Sequence, residues 1–371
     1  MPQEQLPLLI FAQTARFIAQ SAAQLGYQTW VADCFADTDT QRVSNRLVRL
    51  PSLDKLTIAS LLSSLDSLSQ QQPCMLICGA GIERFYPVLE QLPPHIQSLG
   101  NSFHTFEQLR SADQFFPLLD RLGIPYPETH LISPPDKNKR RWLSKDMKSC
   151  GGTHIKHTNL YSDEQVIFQE YIEGKSASVS FIADGKAASV LGFNEQIHDK
   201  HTFTLQQLTN QIALNPSSQQ KVSAALQQLI TATGFKGFGS LDFLIDEADN
   251  IYILELNPRL SASAELYSNS GDILRRHIQA CMSTQADNLA YQDIQKHSIR
   301  TLSYLFADKN YRVREKANWP PQAHDIPSDQ QMIHSGQPIC TLVIDTEFEH
   351  ACQNIRHQLE TEIVKNCLYP A

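Results

Sequence analysis

Two short apolar segments separated by a polar turn constrain this chain more than any other feature. Residues 239–246 (Gly-Ser-Leu-Asp-Phe-Leu-Ile-Asp) and 251–257 (Ile-Tyr-Ile-Leu-Glu-Leu-Asn) each have the apolar content of a β-strand. The four residues between them, Glu-Ala-Asp-Asn, have the composition of a turn. The pattern therefore predicts a β-hairpin.

Three oxygen-bearing side chains lie in this predicted hairpin. Asp242 is on the first strand, and Glu255 and Asn257 are two residues apart on the second, so the latter two share a face. Such side chains are costly to bury in apolar strands unless a cation neutralises them. Mg²⁺ is the natural candidate, because it binds through one or two carboxylates together with substrate phosphates. The alternative is an ordinary hairpin with polar residues on its solvated face.

Composition narrows the class of protein. The chain has 371 residues, 42% of them hydrophobic, and a formal net charge of −8. The length predicts two or three domains, and the charge argues against nonspecific binding to nucleic acid or to an anionic membrane. No apolar run approaches the roughly 20 residues of a membrane span, and the N-terminus lacks the basic leader of a signal peptide. The eight cysteines show no zinc-type spacing, so we expect reduced thiols and a cytoplasmic protein.

Predicted strands and helices alternate at the N-terminus. We predict strands at 8–11, 28–32 and 73–78 and helices at 15–25 and 56–68. This order implies a parallel sheet with right-handed crossovers. A domain boundary is expected near residue 100. Residues 106–122 predict a helix that is kinked or split at Pro117, and the section after about residue 299 mixes strands with a helix.

A lysine and a glycine loop form the next chemical feature. Lys145 ends a predicted strand and precedes a loop that contains Gly151 and Gly152. The backbone N–H groups of such a loop can hold phosphate oxygens while the lysine neutralises their charge. A Walker A sequence is absent, and the alternative is a surface hairpin with an exposed lysine. Residues 168–174 (Phe-Gln-Glu-Tyr-Ile-Glu-Gly) predict an edge segment whose free backbone groups can pair with an adenine ring, or a plain edge strand.

Other residues near the loop have catalytic and structural interpretations. Cys150 is a candidate nucleophile, but we interpret it as part of the loop. The pairs His154/His157 and His198/His201 have no acidic partner at zincin spacing. Solvated or substrate-facing histidines are therefore the preferred interpretation.

The lysine and glycine loop, segment 168–174, and the Asp…Glu-x-Asn-Pro-Arg pattern of 242–259 occur in one order. This arrangement resembles the ATP-grasp superfamily over nearly the full chain. It is most similar to a group of predicted carboxylate–amine ligases related to biotin carboxylase and to tyramine–glutamate ligase. Several members of that group are associated with tetrahydromethanopterin or methanofuran cofactors. Its other motifs resemble residues 11–16, 33–40, 79–83, 303–308 and 336–341.

The resemblance implies a mixed α/β and α+β architecture. Residues 1–100 would form a pre-ATP-grasp domain with a parallel sheet. A two-lobed ATP-grasp module would follow at 101–295, with its small lobe at about 101–175 and its large lobe at about 176–295. Residues 296–371 would form a small C-terminal α+β section. The implied partners are small-molecule carboxylate and amine substrates, without nucleic acid or membrane, and a homodimer is expected for the family.

The resemblance also implies roles for the site residues. Lys145 would contact the ATP phosphates and act in catalysis, and Gly151 and Gly152 would close over them. Arg259, also catalytic, would hold the substrate carboxylate or the acyl-phosphate oxygens. One or two Mg²⁺ ions, with Mn²⁺ as an alternative, would bind Asp242, Glu255 and Asn257. The adenine hinge would consist of Glu170, Tyr171 and Ile172.

Two positions depart from the family pattern. The family often has a second phosphate-binding lysine in the helix before residues 123–125, where this chain carries Arg110. Arg110 is the expected substitute, although it presents a planar fork and not a point charge. Ser176 stands where a ribose-binding acid is expected, so Glu173 is the alternative residue for that role.

The predicted reaction is ATP-dependent formation of an amide through an acyl phosphate, in the biosynthesis of a one-carbon-carrier cofactor of the tetrahydromethanopterin or methanofuran type. Two alternatives stay open. One is a carboxylase or phosphotransferase of the same superfamily whose acceptor is bicarbonate or another non-amine. The other is a nucleotide-binding regulatory protein with a decayed site.

Overall fold

The computed structural model describes residues 5–134, 140–149, 151–152, 154–158, 166–282 and 298–371. Across these described ranges the strands form four sheets. Cys150 lies outside them, so its interpretation as part of the loop is not tested. No helix of the described ranges is both long and apolar enough to cross a membrane.

The N-terminal region is a parallel sheet with the strand order β3-β2-β1-β4-β5. Its strands are β1 (Leu8–Ala12), β2 (Thr29–Asp33), β3 (Arg46–Arg49), β4 (Cys74–Cys78) and β5 (Ile96–Ser98). Its helices are α1 (Arg16–Gln24), α2 (Thr38–Val43), α3 (Ile58–Ser69) and α4 (Ile82–Phe85), followed by a 3₁₀ turn at Tyr86–Glu90.

Strand β1 is buried on both faces. Leu9 and Phe11 pack in a core with α3, whereas Leu8 and Ile10 pack in a second core shared with the largest sheet of the molecule. Successive strand residues point to opposite faces, which explains why this segment is apolar throughout. The second core joins the N-terminal sheet to the rest of the chain.

Two helices follow the first sheet: α5 (Phe103–Arg110) and α6 (Ala112–Leu122). The predicted split at Pro117 is wrong, whereas a kink there stays a prediction. The chain breaks at Ser111, which is extended, and Pro117 lies inside α6. A proline in a helix costs about 3 kcal/mol. The four side chains buried around it, each stabilising by about 1.5–3 kcal/mol, outweigh that cost; they are Phe115, Phe116, Leu118 and Leu119.

The small antiparallel sheet carries the predicted lysine and the hinge segment. Its order is β6-β9-β7-β8. The strands are β6 (Thr129–His130), β7 (Trp142–Lys145), β8 (Lys156–Thr158) and β9 (Ile167–Glu170). Strands β7 and β9 are antiparallel, with Leu143 opposite Gln169. This pairing places Trp142, at the start of the lysine strand, opposite Glu170 of the hinge, and Lys145 opposite Ile167.

The largest sheet has the order β14-β13-β10-β11-β12-β15-β19-β17. Its first five strands in sequence are β10 (Lys175–Asp184), β11 (Ala188–His198), β12 (Leu205–Thr209), β13 (Lys236–Ile245) and β14 (Ile251–Asn257), with α7 (Pro216–Thr233) before β13. The predicted hairpin is therefore present as β13 and β14. Asp246 closes its turn by accepting from the backbone N–H groups of Ala248 (2.9 Å) and Asn250 (2.8 Å).

The C-terminal strands continue this same sheet. After a 3₁₀ turn at Ala262–Leu266 and α8 (Asp272–Met282), the chain adds β15 (Ile299–Phe306), β17 (Ala323–His324) and β19 (Pro338–Thr346) to its edge. A small sheet of β16 (Tyr311–Val313), β18 (Met332–Ile333) and β20 (Leu368–Pro370) packs with α9 (Glu349–Asn366). The loop between β17 and β18 thereby reaches the N-terminal region, where Thr38 N donates to Ile326 O at 2.8 Å.

Candidate active site

A cleft of about 1420 Å³ lies where the N-terminal, small and large sheets meet. All but one of the site residues predicted from the sequence line it, and the exception is Arg110. The lining residues are Lys145, Gly151, Gly152, Glu170, Tyr171, Ile172, Glu173, Asp242, Glu255, Asn257 and Arg259. The folded chain therefore gathers three separate sequence motifs at one place.

The side chains of Asp242, Glu255 and Asn257 converge. Asp242 and Glu255 are opposite one another in the hairpin. The Asn257 Nδ2 group donates to Asp242 Oδ2 at 3.3 Å and to Glu255 Oε1 at 3.1 Å. Burial and the adjacent Glu255 raise the pKa of Asp242 well above its usual value. Asp242 Oδ1 is buried without a hydrogen-bond partner in the described part of the chain.

This arrangement fits a hard cation. A buried, unsatisfied carboxylate oxygen beside a second carboxylate is unfavourable until a cation approaches. The described residues contain no group of three or more His, Cys, Asp or Glu side chains suited to a metal. Two carboxylates and an amide match Mg²⁺, which takes its other ligands from phosphates and water.

Arg110 lies behind the cleft and is 1% exposed. Its Nη1 donates to Glu255 Oε2 at 2.9 Å, and its Nη2 donates to the backbone oxygens of Met147 (2.7 Å) and Ser149 (3.1 Å). Burial acts to raise the pKa of Glu255, but the Arg110 charge outweighs it and holds that pKa below its usual value. Arg110 thus keeps Glu255 ionised and ties the segment of Met147 and Ser149 to α5. Its predicted contact with phosphate stays a prediction.

Lys145 is held by a residue to which the sequence analysis assigned no role. Its Nζ donates to Gln169 Oε1 at 2.7 Å, and Gln169 Nε2 donates to Thr129 Oγ1 at 3.0 Å. Gln169 is 1% exposed. Burial lowers the pKa of Lys145, while the charges of Glu255 and Asp242 favour its protonated form. The sequence signal for this role was Gln169, a polar residue that directly follows the apolar residues Ile167 and Phe168.

The glycine loop rests on the connection between β11 and β12. Gly151 and Gly152 both have positive φ angles, +73° and +82°. Leu205 N donates to Gly151 O at 3.3 Å. A Cβ atom on Gly152 would lie 1.9 Å from Phe203 O, a distance that no side chain tolerates. Glycine is therefore required at residue 152 for the loop to cover the cleft as it does.

The hinge segment keeps one backbone donor available. Glu170 N donates to Glu128 O and Tyr171 N donates to Arg141 O, both at 2.8 Å. Within the described ranges no group accepts from the Ile172 N–H. The Arg141 guanidinium lies 4.2 Å from the centre of the Tyr171 ring. An edge with a free N–H beside a flat cationic and aromatic surface suits a heterocyclic base.

Two of the histidines noted in the sequence face the cleft. His154 and His198 both line it. Burial lowers the pKa of His198 to about 4, so this imidazole is neutral at physiological pH. His157 instead packs on Tyr171, with 5.4 Å between the ring centres.

Arg259 is fixed by a buried acid from the N-terminal region, Glu83. The Arg259 Nε donates to Glu83 Oε1 at 2.7 Å, and its Nη2 lies 2.6 Å from the same oxygen. Glu83 Oε2 accepts from Gly81 N at 2.7 Å. Burial opposes ionisation of Glu83, but the Arg259 charge keeps its pKa below the usual value. Motif 79–83 was noted in the sequence, yet the structural role of Glu83 was missed.

The fold and the cleft are similar to those of ATP-grasp proteins. Residues 113–263 match a family model described as an ATP-grasp domain. The predicted resemblance and fold class are confirmed, and the proteins similar to this chain include ligases.

Three known proteins illustrate the similarity. The chain is 24% identical over 359 residues to an uncharacterized protein of Methanocaldococcus jannaschii, covering 91% of this chain and 88% of the relative. It is 29% identical over 169 residues to tyramine–L-glutamate ligase of the same organism, covering 45% of this chain but 46% of that ligase. The biotin carboxylase–β-γ-ATP complex from Campylobacter jejuni has a TM-score of 0.73 at 12% identity. The match covers 98% of this chain and 92% of the biotin carboxylase chain.

Proposed function

We propose that the protein is an ATP- and Mg²⁺-dependent carboxylate–amine ligase that forms an amide through an acyl phosphate. The convergence of Asp242, Glu255 and Asn257 beside Lys145 in one cleft supports this proposal most directly. The similarity to tyramine–L-glutamate ligase supports the type of reaction. The biotin carboxylase structure, solved as a β-γ-ATP complex, supports the nucleotide.

In this proposal the small sheet binds the nucleotide. The Ile172 N–H donates to the adenine ring. Lys145, oriented by Gln169, binds the terminal phosphates, and the loop of Gly151 and Gly152 covers them and excludes water. Glu173 is the proposed ribose contact, because its exposed carboxylate lies at the cleft beside the hinge.

Asp242, Glu255 and Asn257 would hold one or two Mg²⁺ ions, or Mn²⁺. When bound, the metal neutralises charge on the phosphate oxygens. Arg259, fixed by Glu83, binds the substrate carboxylate and orients it towards the nucleotide. A carboxylate oxygen then attacks the γ-phosphorus and ADP departs. The amine nitrogen attacks the acyl carbon, phosphate departs with the former carboxylate oxygen, and the nitrogen loses a proton.

The decisive experiment measures ADP and new amide mass in the same reaction. The protein is incubated with ATP, Mg²⁺ and pairs of carboxylates and amines, including pterin and furan precursors because a one-carbon-carrier product is the finer prediction. ADP that appears together with a condensed mass supports the ligase. ADP that depends on bicarbonate alone indicates the carboxylase alternative. ATP binding without turnover under any mixture indicates the regulatory alternative.

In this proposal three regions contribute to one site, namely residues 1–100, 101–295 and 296–371. The first supplies Glu83, the second supplies the nucleotide residues, and the third closes the cleft with Asp325. A homodimer is the proposed assembly, and the mass of the protein in solution tests it directly.

A further inference from the structure

The end of the cleft away from the glycine loop is acidic. Arg16 forms a two-point ion pair with Glu265, with distances of 2.5 and 2.7 Å from its two Nη atoms to the carboxylate oxygens. The Arg16 Nε also donates to Asp325 Oδ1 at 3.1 Å, and Thr14 Oγ1 donates to the same oxygen at 2.9 Å. Arg16 is 3% exposed, and its charge is directed to these two acids.

Two further acids lie behind this ion pair and are satisfied by backbone groups. Asp39 accepts from the N–H groups of Asp325 (2.8 Å) and Ile326 (3.1 Å). Asp33 accepts from Ala15 N at 2.6 Å and from two N–H groups of the following loop. These carboxylates hold loops together. With Asp37 they bring the acidic end to five carboxyl groups, of which Glu265, Asp325 and Asp39 lie within 4.0 Å of the Arg16 guanidinium.

Asp37 is the member of this group for which the described residues offer no hydrogen-bond partner. It is 6% exposed and lines the cleft. In the described part of the chain its carboxyl group neither accepts nor donates a hydrogen bond, and it does not cap α2. Burial, followed by the charges of Asp325, Asp33 and Asp39, raises the pKa of Asp37 to about 9. A buried acid surrounded by other acids is stabilised by an approaching cation.

We infer that Asp37, with Glu265 and Asp325, forms a subsite for a protonated ammonium group of the amine substrate. This inference deepens the proposed function and rests on it. The two ends of the cleft have opposite preferences: Arg259 and Lys145 suit the carboxylate and the phosphates, which the acidic end repels. The nitrogen that attacks the acyl phosphate must be neutral, whereas an acidic subsite stabilises a nitrogen in its protonated form. We therefore assign the ammonium group held at Asp37 to a second, non-reacting nitrogen. The amine substrate is therefore a diamine or another amine that carries a separate cationic nitrogen.

Equilibrium binding by calorimetry, without nucleotide, tests the subsite separately from the reaction. The probes at pH 8 are 1,4-diaminobutane, 1-butanol and succinate. We expect saturable binding of the diamine at least tenfold tighter than that of the other two probes. Asp37→Asn should weaken diamine binding at least tenfold. The control Asp249→Asn removes a carboxylate from the exposed hairpin turn, at a φ of +60° that asparagine tolerates, and should bind like the wild type.

Three results would overturn the subsite: no saturable binding of the diamine to the wild type, equal binding of diamine and butanol, or unchanged binding to Asp37→Asn. A melting curve of Asp37→Asn confirms that the variant is folded, and the comparison of probes on the wild type needs no variant. Diamine binding by a protein that forms no amide would contradict the proposed ligase and leave the cation subsite standing. Amide formation without diamine binding would support the proposed ligase and overturn the cation subsite.

Discussion

The two ends of the cleft are assembled in different ways. At the phosphate end, Asp242, Glu255, Asn257 and Arg259 all come from one hairpin and the residues that follow it. At the acidic end, Arg16 contacts acids 249 and 309 residues away in the chain. The residues proposed for the metal and the substrate carboxylate are thus close together in the sequence, although Lys145 and Glu83 reach them from other segments. The end proposed for the amine has no such local set of residues and depends on the complete fold. The predictions below test whether the ends are also separate in function.

Glu255→Gln should have the largest effect. The amide removes the ionised partner of the Asp242–Glu255 pair, so we expect ATP turnover to fall by about 100-fold or more, with the fold retained. ADP release at saturating Mg²⁺ measures it. The matched control is Glu247→Gln, an exposed glutamate in the turn of the same hairpin. Wild-type turnover in Glu255→Gln would eliminate the metal assignment.

Arg259→Ala should separate nucleotide binding from the reaction. We expect ATP to bind within about threefold of the wild type, while phosphate release that depends on the carboxylate substrate falls by roughly 100-fold. The variant also leaves Glu83 buried without its cation, so a melting curve must accompany the kinetics. Normal substrate-dependent phosphate release by a folded variant would remove Arg259 from the substrate role.

Gln169→Ala should have a smaller effect confined to the nucleotide. Without the 2.7 Å hydrogen bond from Lys145, the lysine loses its orientation, and we expect the KM for ATP to rise about tenfold with little change in kcat. Diamine binding at the acidic end should stay unchanged, which sharpens the comparison between the two ends. A fall in kcat at constant KM would instead show that Gln169 acts in the chemical step.

Asp37→Asn should change stability and its dependence on pH. Burial and the neighbouring acids raise the pKa of Asp37 from 3.8 to about 9 in the folded protein. The folded state therefore keeps a proton that the unfolded chain releases, and wild-type stability falls as pH rises between those values. At pH 8 we expect the variant to melt on the order of 5 °C higher than the wild type. At pH 4 we expect the two proteins to have the same melting temperature. A difference in melting temperature that does not vary with pH would exclude this account.

The sequence predicts the hairpin of the end proposed for phosphoryl transfer well, because the residues that form it are neighbours in the sequence. The alternation of apolar residues places Asp242, Glu255 and Asn257 in the hairpin, and the order of motifs places Lys145 and the two glycines beside it. Glu83 and Gln169 were assigned no role, because their functions depend on partners in other strands. The helix break was assigned to Pro117 because proline propensity is visible in the sequence, whereas the burial around it is not.

The acidic end could not be predicted for the same physical reason. Arg16, Asp37 and Asp325 lie in segments with no shared periodicity, and only the packing of the loop after β17 on the N-terminal region brings them together. Motifs 11–16 and 33–40 were noticed as resemblances. Nothing local in them indicates that three carboxyl groups contact the Arg16 guanidinium and that two more lie nearby.

The continuation of the hairpin sheet into β15, β19 and β17 has an evolutionary consequence. Because these strands share one sheet with the hairpin, the C-terminal region cannot be exchanged as a detachable module. In the proposed ligase, single substitutions in the loop after β17, such as at Asp325, would nevertheless alter which amine is accepted while every residue of the hairpin is retained. Divergence of acceptor choice among homologues should therefore concentrate in loops near residues 14–16, 33–39 and 325, and sequence variation there can be compared with substrate preference.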